Sequence, residues 1–555
     1  MKKIDKKTIK NDVDTTNKYS SGGGGALYNF LNKNIKEFNP YIISTLSIIF
    51  LVLVGIISYK VNTTYAVFTD TIMGTKTIEI TVKLPNLDKS GVSEPELAEG
   101  MIPVYYDEST ETWKKASKGN SNKKYQWYDY DNKMWANSVT VSSTNRSKYL
   151  SANPGTEIPM DDILTMQVWI PRYKYKVWNY NSNTITTSKE QEIEITFENE
   201  TESTGEITCE DNIQGSSGDG TSETCKLKAT NETCTDDLCN GKTYTHPAFT
   251  FGDEEIQGFW IGKFELTGTI NSITTKPNLK AFTGSTTSLN INFFETNIMK
   301  MKNSGNQYGL STSTDAHMIK NSEWGAVAYL SHSKYGTCTD GTCKEVNINN
   351  SSGNYTGRSG GAPGGSTAIN TVYTDQTSTT QYKTYGFYTY DGYLLDYNTN
   401  TKSTTKDMSK VASTTNNIYG VYDMSGGANE YTMANIVNAN GTTMTPGKSG
   451  YTTTTYPDGK YYDKYSYVSN YKNAIIPSKL GDSLKEVIKR IAKNGTQIYR
   501  YGWYNDQNTS VYASSCVWVE RGSSFGDNAY AGVFATECSD GVGNTGYSTR
   551  LIITP

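Results

Sequence analysis

Between Phe38 and Tyr59 lie 22 residues without a charge, centred on Ile48-Ile49-Phe50-Leu51-Val52-Leu53-Val54. As a helix rising 1.5 Å per residue, this stretch spans about 33 Å, enough to cross the hydrocarbon core of a bilayer. Residues 1–37 carry eight Lys, four acids and no Arg, a net of +4, which leaves −8 for the rest of the chain. Basic flanks stay in the cytoplasm. The pattern therefore predicts a cytoplasmic basic tail over 1–37 and one transmembrane helix over 38–60, with everything from Asn62 onward outside. A cleaved signal peptide is the alternative, with Thr64-Tyr65-Ala66 as a weak small-residue site. The apolar run is long for a signal core, and that site lies well beyond its end. Gly22 to Gly25 are four consecutive glycines and read as flexible linker.

All eight cysteines (Cys209, Cys225, Cys234, Cys239, Cys338, Cys343, Cys516 and Cys538) follow the apolar segment. An even number on the oxidising side of a membrane predicts disulfides. Cys234–Cys239 and Cys338–Cys343 close small loops, and Cys209–Cys225 with Cys516–Cys538 would complete the set. Eight cysteines allow 105 pairings, so spacing alone does not fix this choice. Zinc would need four converging ligands, and the two tight pairs are far apart in sequence with no His nearby.

A chain of 555 residues has room for two to four domains. Its net charge of −4 speaks against a nucleic-acid binder that relies on a basic face. Tyr supplies 42 of the aromatic residues, while Gly, Asn, Ser and Thr abound and Pro is scarce. That mix points to a strand-rich α+β chain with polar turns.

Residues 61–155 read as a β-rich membrane-proximal region, with Thr77-Ile78-Glu79-Ile80-Thr81-Val82 alternating at the strand period. Tyr125-Gln126-Trp127-Tyr128-Asp129-Tyr130-Asp131 reads as a half-buried strand with aromatic packing, or else as an exposed sugar-stacking surface. Residues 156–555 form the main domain. It has a cysteine-stapled, acidic insertion at 200–245 and a polar loop at 344–382, where Gly357-Arg358-Ser359-Gly360-Gly361 lacks the ending of a phosphate loop. Helices are predicted over about 322–330 and 293–301. A third is predicted from the capping box Ser483-Leu484-Lys485-Glu486, through Val487, Ile488 and Ile491, to the stop at Asn494-Gly495.

Several segments stand in one order. They are Phe259-Trp260-Ile261-Gly262-Lys263-Phe264-Glu265-Leu266-Thr267, Asp315 to Trp324, Tyr419-Gly420-Val421-Tyr422-Asp423-Met424-Ser425-Gly426-Gly427-Ala428-Asn429-Glu430, Arg521-Gly522-Ser523-Ser524-Phe525 and Thr549-Arg550-Leu551. The third is similar to "F-G-L-Y-D-M-S-G-N-V-W-E" and the fourth to "R-G-G-S-W". Together they resemble the formylglycine-generating enzyme (sulfatase-modifying factor) family, whose fold is an irregular C-type-lectin-like variant. The resemblance starts near Val168-Trp169-Ile170-Pro171 and runs to the end of the chain.

The resemblance implies the fold and argues against the activity. The family's oxidase chemistry uses two copper-binding cysteines, and those positions hold Gly526 and Ala531. No copper is therefore expected, and no catalytic residue is assigned. Cys538 stands near a third family cysteine, with Cys516 as its partner. His246, His317 and His332 lack metal-ligand spacing and read as surface or capping residues. The resemblance also implies a structural calcium held by the Asp423 side chain, the Gly426 and Ala428 carbonyls and the Glu430 carboxylate, all oxygen donors.

The C-terminal stretch further resembles the ligand-binding face of retroelement-diversified lectin-like proteins. That implies contacts from Phe525, Asp527, Asn528, Tyr530, Asn544 and Tyr547, with Arg521, Gly522, Val533 and Phe534 as frame. The reading is thus a single-pass, N-in surface protein, of adhesin or receptor type, that binds a protein or glycan and no nucleic acid. An enzyme on the same fold and a structural envelope protein without a specific ligand are the alternatives.

Overall fold

The computed structural model describes residues 65–69, 78–83 and 86–555, except 181–186, 206, 213–221, 229, 270, 278, 280, 285–286, 304–306, 347–412, 438–447, 453–454, 467–479, 495–496, 509–515, 525–526, 528–529 and 545. The expected membrane helix over 38–60 and the expected loop over 344–382, all but its first three residues, lie outside the described residues. Among the described residues, no helix is long and apolar enough to cross a membrane.

The chain divides into two units, one of residues 1–87 with 119–123 and one of 88–118 with 124–555. In the first, strand Tyr65–Thr69 pairs antiparallel with Ile78–Lys83, where the alternating pattern predicts a strand.

The second unit is a strand-rich α+β body with two large sheets. Edge to edge, the first runs Asp315–Met318, Leu551–Thr554, Gly258–Gly262, Ile163–Pro171, Asn137–Val141, Ile102–Asp107 and Thr112–Lys115, all antiparallel. Its middle strands Gly258–Gly262 and Leu551–Thr554 are buried at every position. Both faces are covered, which is why these strands read as unbroken apolar runs rather than as alternation. Trp169 packs on Trp260 at 5.1 Å and Trp127 stacks on Trp260 at 6.3 Å between ring centroids.

The second sheet runs Asp463–Ser466, Asn429–Val437, Trp518–Arg521, Thr536–Ser539, Gln507–Asn508, Gln497–Gly502 and Ile488–Asn494, with Tyr547–Ser548 also paired to Asn429–Val437.

Two predicted helices are present, Ile291–Met299 and Asn321–Ser331. The latter is buried all round, so its sequence shows no polar face. Its first turn is satisfied by the Glu323 carboxylate, which accepts from Lys320 N at 2.8 Å, and by Asp463, which accepts from Ser322 N at 2.7 Å.

Three sequence expectations need correction. No helix forms over 484–491. Ser483 adopts a left-handed φ of 55°, and Ile488–Asn494 instead pairs with Gln497–Gly502 as a hairpin. Glu486 does not close a capping box; it accepts from Gly481 N at 2.7 Å and from the Tyr329 hydroxyl at 2.9 Å. Tyr125–Asp131 is not a strand but two short 3-10 turns, with Trp127, Tyr128 and Tyr130 fully buried rather than displayed. Finally, the boundary near 155 falls inside one sheet, because Asn137–Val141 pairs with Ile163–Pro171.

The insertion at 200–245 is stapled as predicted. Disulfides join Cys234 to Cys239, Cys338 to Cys343 and Cys516 to Cys538. Cys225 is disulfide-bonded and sits opposite Cys209 in the backbone register, and the Cys209 side chain lies outside the described residues.

Gly325 lets the buried helix touch the 481–482 backbone, because a Cβ there would lie 2.1 Å from the Gly481 carbonyl oxygen. Gly325→Ala should lower the melting temperature, by the equivalent of about 1–3 kcal/mol; an unchanged melting curve would contradict this close packing. Glu295 accepts from Met318 N at 2.7 Å, and burial, with Glu323 nearby, pushes its carboxyl up to about 8. A raised acid favours the folded state most below its ordinary value and loses that advantage as pH rises through the folded value. Stability should therefore decline between about pH 5 and pH 9, and Glu295→Gln should flatten the decline. Equal slopes for both proteins would contradict this.

Candidate functional site

Three of the segments that carry the resemblance meet in one buried polar knot. Strand Gly258–Gly262 ends at Lys263, whose ammonium is sealed from solvent. It donates to Asn137 Oδ1 at 2.9 Å and to the carbonyls of Ile418 at 2.6 Å and Gly420 at 2.9 Å. Burial holds its pKa well below the usual lysine range. Tyr422 N donates back to the Lys263 carbonyl at 2.8 Å. One side chain thus positions the whole turn that leads to Asp423.

That turn is tight. Asp423 has φ 63°, and Gly426 and Gly427 have φ of 80° and 78°. Its end is fixed by Glu265, whose carboxylate accepts from Ala428 N at 2.7 Å. Glu430 then begins strand Asn429–Val437 and pairs with Arg550, Nη2 to Oε1 at 2.6 Å and Nε at 2.9 Å, with both side chains fully buried. Arg550 Nη1 also donates to the Gly262 carbonyl at 3.3 Å.

Three acids, Glu265, Asp423 and Glu430, therefore act on one another in the knot, and Arg550 offsets the charge of Glu265 and Glu430. Burial pushes the Glu430 carboxyl up to about 7 against the pull of Arg550. Glu265 is held well above the usual carboxylate range, by burial first and then by Asp423 and Glu430. Glu430 Oε2 is buried without a hydrogen-bond partner. Asp423, Gly426, Ala428 and Glu430, the expected calcium residues, are thus in one short buried stretch. Their donor chemistry suits a hard cation, and Arg550 already supplies one positive charge there.

Arg521 forms the second anchor. Its guanidinium lies 5.7 Å from the Trp324 ring centroid, and the Ser483 hydroxyl and carbonyl accept from it. Trp324 Nε1 donates to the Val533 carbonyl at 2.9 Å. The frame residues Arg521, Gly522, Val533 and Phe534 are buried.

The expected contact residues separate into groups. Tyr530 is 48% exposed, and its ring lies 6.1 Å from Tyr501. Asp527 caps its own turn, accepting from Ser524 N at 2.8 Å and Ser524 Oγ at 2.7 Å. Asn544 accepts from Gly546 N at 3.1 Å. Tyr547 packs edge-on against Tyr431 at 5.1 Å, so its ring belongs to the sheet face. Phe525 and Asn528 lie outside the described residues, as does Gly526, while Ala531 is buried.

Sequence reasoning missed Arg490 and Tyr501. They are cross-strand partners in the hairpin, with the exposed Arg490 guanidinium 3.9 Å from the Tyr501 ring centroid. Asn494-Gly495 is as good a hairpin signal as a helix stop, and reading it so would have paired them.

All three histidines are buried, which corrects the surface reading, whereas the capping reading holds for His246 before Pro247–Phe249 and for His332 at the end of Asn321–Ser331. His246 Nδ1 accepts from Ala248 N at 3.2 Å, so Nε2 carries the proton to the Gly481 carbonyl at 2.7 Å. Burial pushes His246 down to about 3 and His332 to about 4. His332, Cys338 and Cys343 cluster, but both sulfurs are spent in one disulfide and both ring nitrogens are bonded, to the Gln191 carbonyl and the Tyr504 hydroxyl.

No protein-family model matches this chain, and no curated protein matches it.

Arg550→Met strips Glu430 of its counter-charge and should cost about 3–5 kcal/mol. Glu430→Gln should cost less, because a neutral amide leaves less charge to be compensated in the knot. Chemical denaturation of both variants tests this, and equal losses would contradict the charge argument.

Proposed function

We propose that this chain is a membrane-anchored surface protein that binds a protein or glycan through a face near its C-terminus. Its main domain is read as a C-type-lectin-like scaffold of the sulfatase-modifying-factor kind. The uncharged segment over 38–60 supports the anchor, and bridges such as Cys516–Cys538 fit an oxidising exterior. The convergence of Lys263, Glu265, Glu430, Arg521 and Arg550 supports the scaffold. These motif residues are far apart in sequence yet engage one another's segments.

The observation that carries the binding reading is the ladder of Arg490, Tyr501 and Tyr530. Two tyrosine rings and a guanidinium stand together at the surface, and Tyr530 is one of three large apolar side chains exposed among the described residues. Tyr and Arg give broad, rigid contact with polar tips, the chemistry enriched where binding energy concentrates. Asp527 adds an adjacent acid. Oxidase chemistry of the family's kind is disfavoured, since Gly526 and Ala531 offer no thiolate and Cys538 is held by Cys516. A structural calcium at Asp423 and Glu430 belongs to the same reading. The orphaned Glu430 oxygen and the excess of acids over Arg550 support it.

The full-length protein in detergent, screened on glycan arrays and surface-protein panels, should give a saturable ligand. Tyr530→Ala and Arg490→Ala should each weaken that binding by about tenfold or more, the loss of a contact worth above 1 kcal/mol, with unchanged melting temperature. Binding that is indifferent to both substitutions would overturn the assignment of this face.

A further inference from the structure

A second acidic group lies on the opposite side of the same strands. Trp518–Arg521 pairs with Asn429–Val437 and with Thr536–Ser539 so that Tyr431, Glu520 and Glu537 stand in one row. Strand alternation puts this row on one face and Glu430 with Arg521 on the other. Glu520 is 1% exposed, and neither of its carboxylate oxygens has a hydrogen bond of sound geometry, although the Ser539 hydroxyl lies beside it. Glu537 is its direct cross-strand neighbour and is open to solvent in part.

The surroundings add negative charge. The charge of Asp527 acts on both glutamates, and that of Asp540 on Glu520. The exposed Lys448 answers Asp540 at 3.4 Å. Neutral oxygens share the face. Asn429 Oδ1 is buried without a partner, and the Tyr547 phenol is pushed up chiefly by Glu520 beside it.

Like charges directly opposite on a sheet are destabilising, and a buried carboxylate without a partner costs several kcal/mol. We propose that Glu520 and Glu537 hold a small divalent cation of the calcium class. Two carboxylates offer up to about four hard oxygens, Ser539, Asn429 and Tyr547 offer neutral ones, and water fills a flexible shell of this kind. The ion would enter from the side of Glu537, which is open to solvent in part. The ion would tie strands Trp518–Arg521 and Thr536–Ser539 to Asp527 through its charge. This site is separate from Asp423 and Glu430, and it does not rest on the ligand-binding reading.

Terbium ions test it, because Tyr431 and Tyr547 would sensitise their emission. The full-length protein in calcium-free detergent buffer should give tyrosine-excited terbium emission that calcium displaces. Glu520→Gln and Glu537→Gln should each weaken terbium binding by at least about tenfold, since affinity follows ligand charge. Asp107→Asn, at a carboxylate on the other large sheet, should leave it intact. The partly exposed Glu537→Gln carries the test should Glu520→Gln fail to fold, with melting curves to establish folding. Emission unchanged in both variants would overturn the proposal, and so would no displaceable emission at all, the pair then sharing a proton instead.

Discussion

The ion pair of Arg550 with Glu430 is the constraint on which the rest of the structure hangs. Both partners are fully buried. A buried pair repays its desolvation only when its geometry is tight and its remaining donors are used. Here one guanidinium reaches Glu430 at the start of a strand in one sheet and the Gly262 carbonyl at the end of a strand in the other. The residues just beyond it, Leu551–Thr554, fill the gap between Asp315–Met318 and Gly258–Gly262. The last residues of the chain thus close a sheet begun some hundreds of residues earlier, and the pair fixes where they do so.

Around this pair the body is held by polar groups as much as by apolar ones. Lys263 holds the approach to Asp423 by three acceptors, and Arg521 holds the 483 turn to the buried helix. Such groups are costly to bury and specify one arrangement when satisfied. They leave the second sheet with two unlike faces. One faces the knot and is balanced by Arg550 and Arg521. The other carries Glu520 and Glu537, on which no cation among the described residues acts. The surface ladder of Arg490, Tyr501 and Tyr530 stands on hairpin and loop residues that this scaffold supports.

What the sequence revealed follows from how local each signal is. Asn321–Ser331 and Ile291–Met299 were legible because apolar spacing and a glutamate near the helix start act within a few residues. The close cysteine pairs were legible for the same reason. Leu484, Val487 and Ile488 misled because their spacing suits a helix face and a buried turn equally, and only the distant Tyr329 reveals where Glu486 belongs. Trp127, Tyr128 and Tyr130 misled because aromatic and polar residues alternate there at the strand period, while Trp260 and Trp169, which bury them, lie elsewhere in the chain. Glu430 and Arg550 could both be named from motif order, but their pairing could not, because no spacing rule links positions 430 and 550. Glu520 gave no signal at all, since its neighbours are set by strand register.

The central claim is that the face around Tyr530 is where this protein meets its ligand. A photo-crosslinking amino acid placed at position 530 in the full-length protein, on intact cells with their natural surroundings, tests it most directly. Position 150 serves as the control, because Leu150 is 46% exposed and comparable to Tyr530. The account predicts a discrete crosslinked species from position 530 and none from position 150. Equal crosslinking from both positions, or none from position 530, would contradict it.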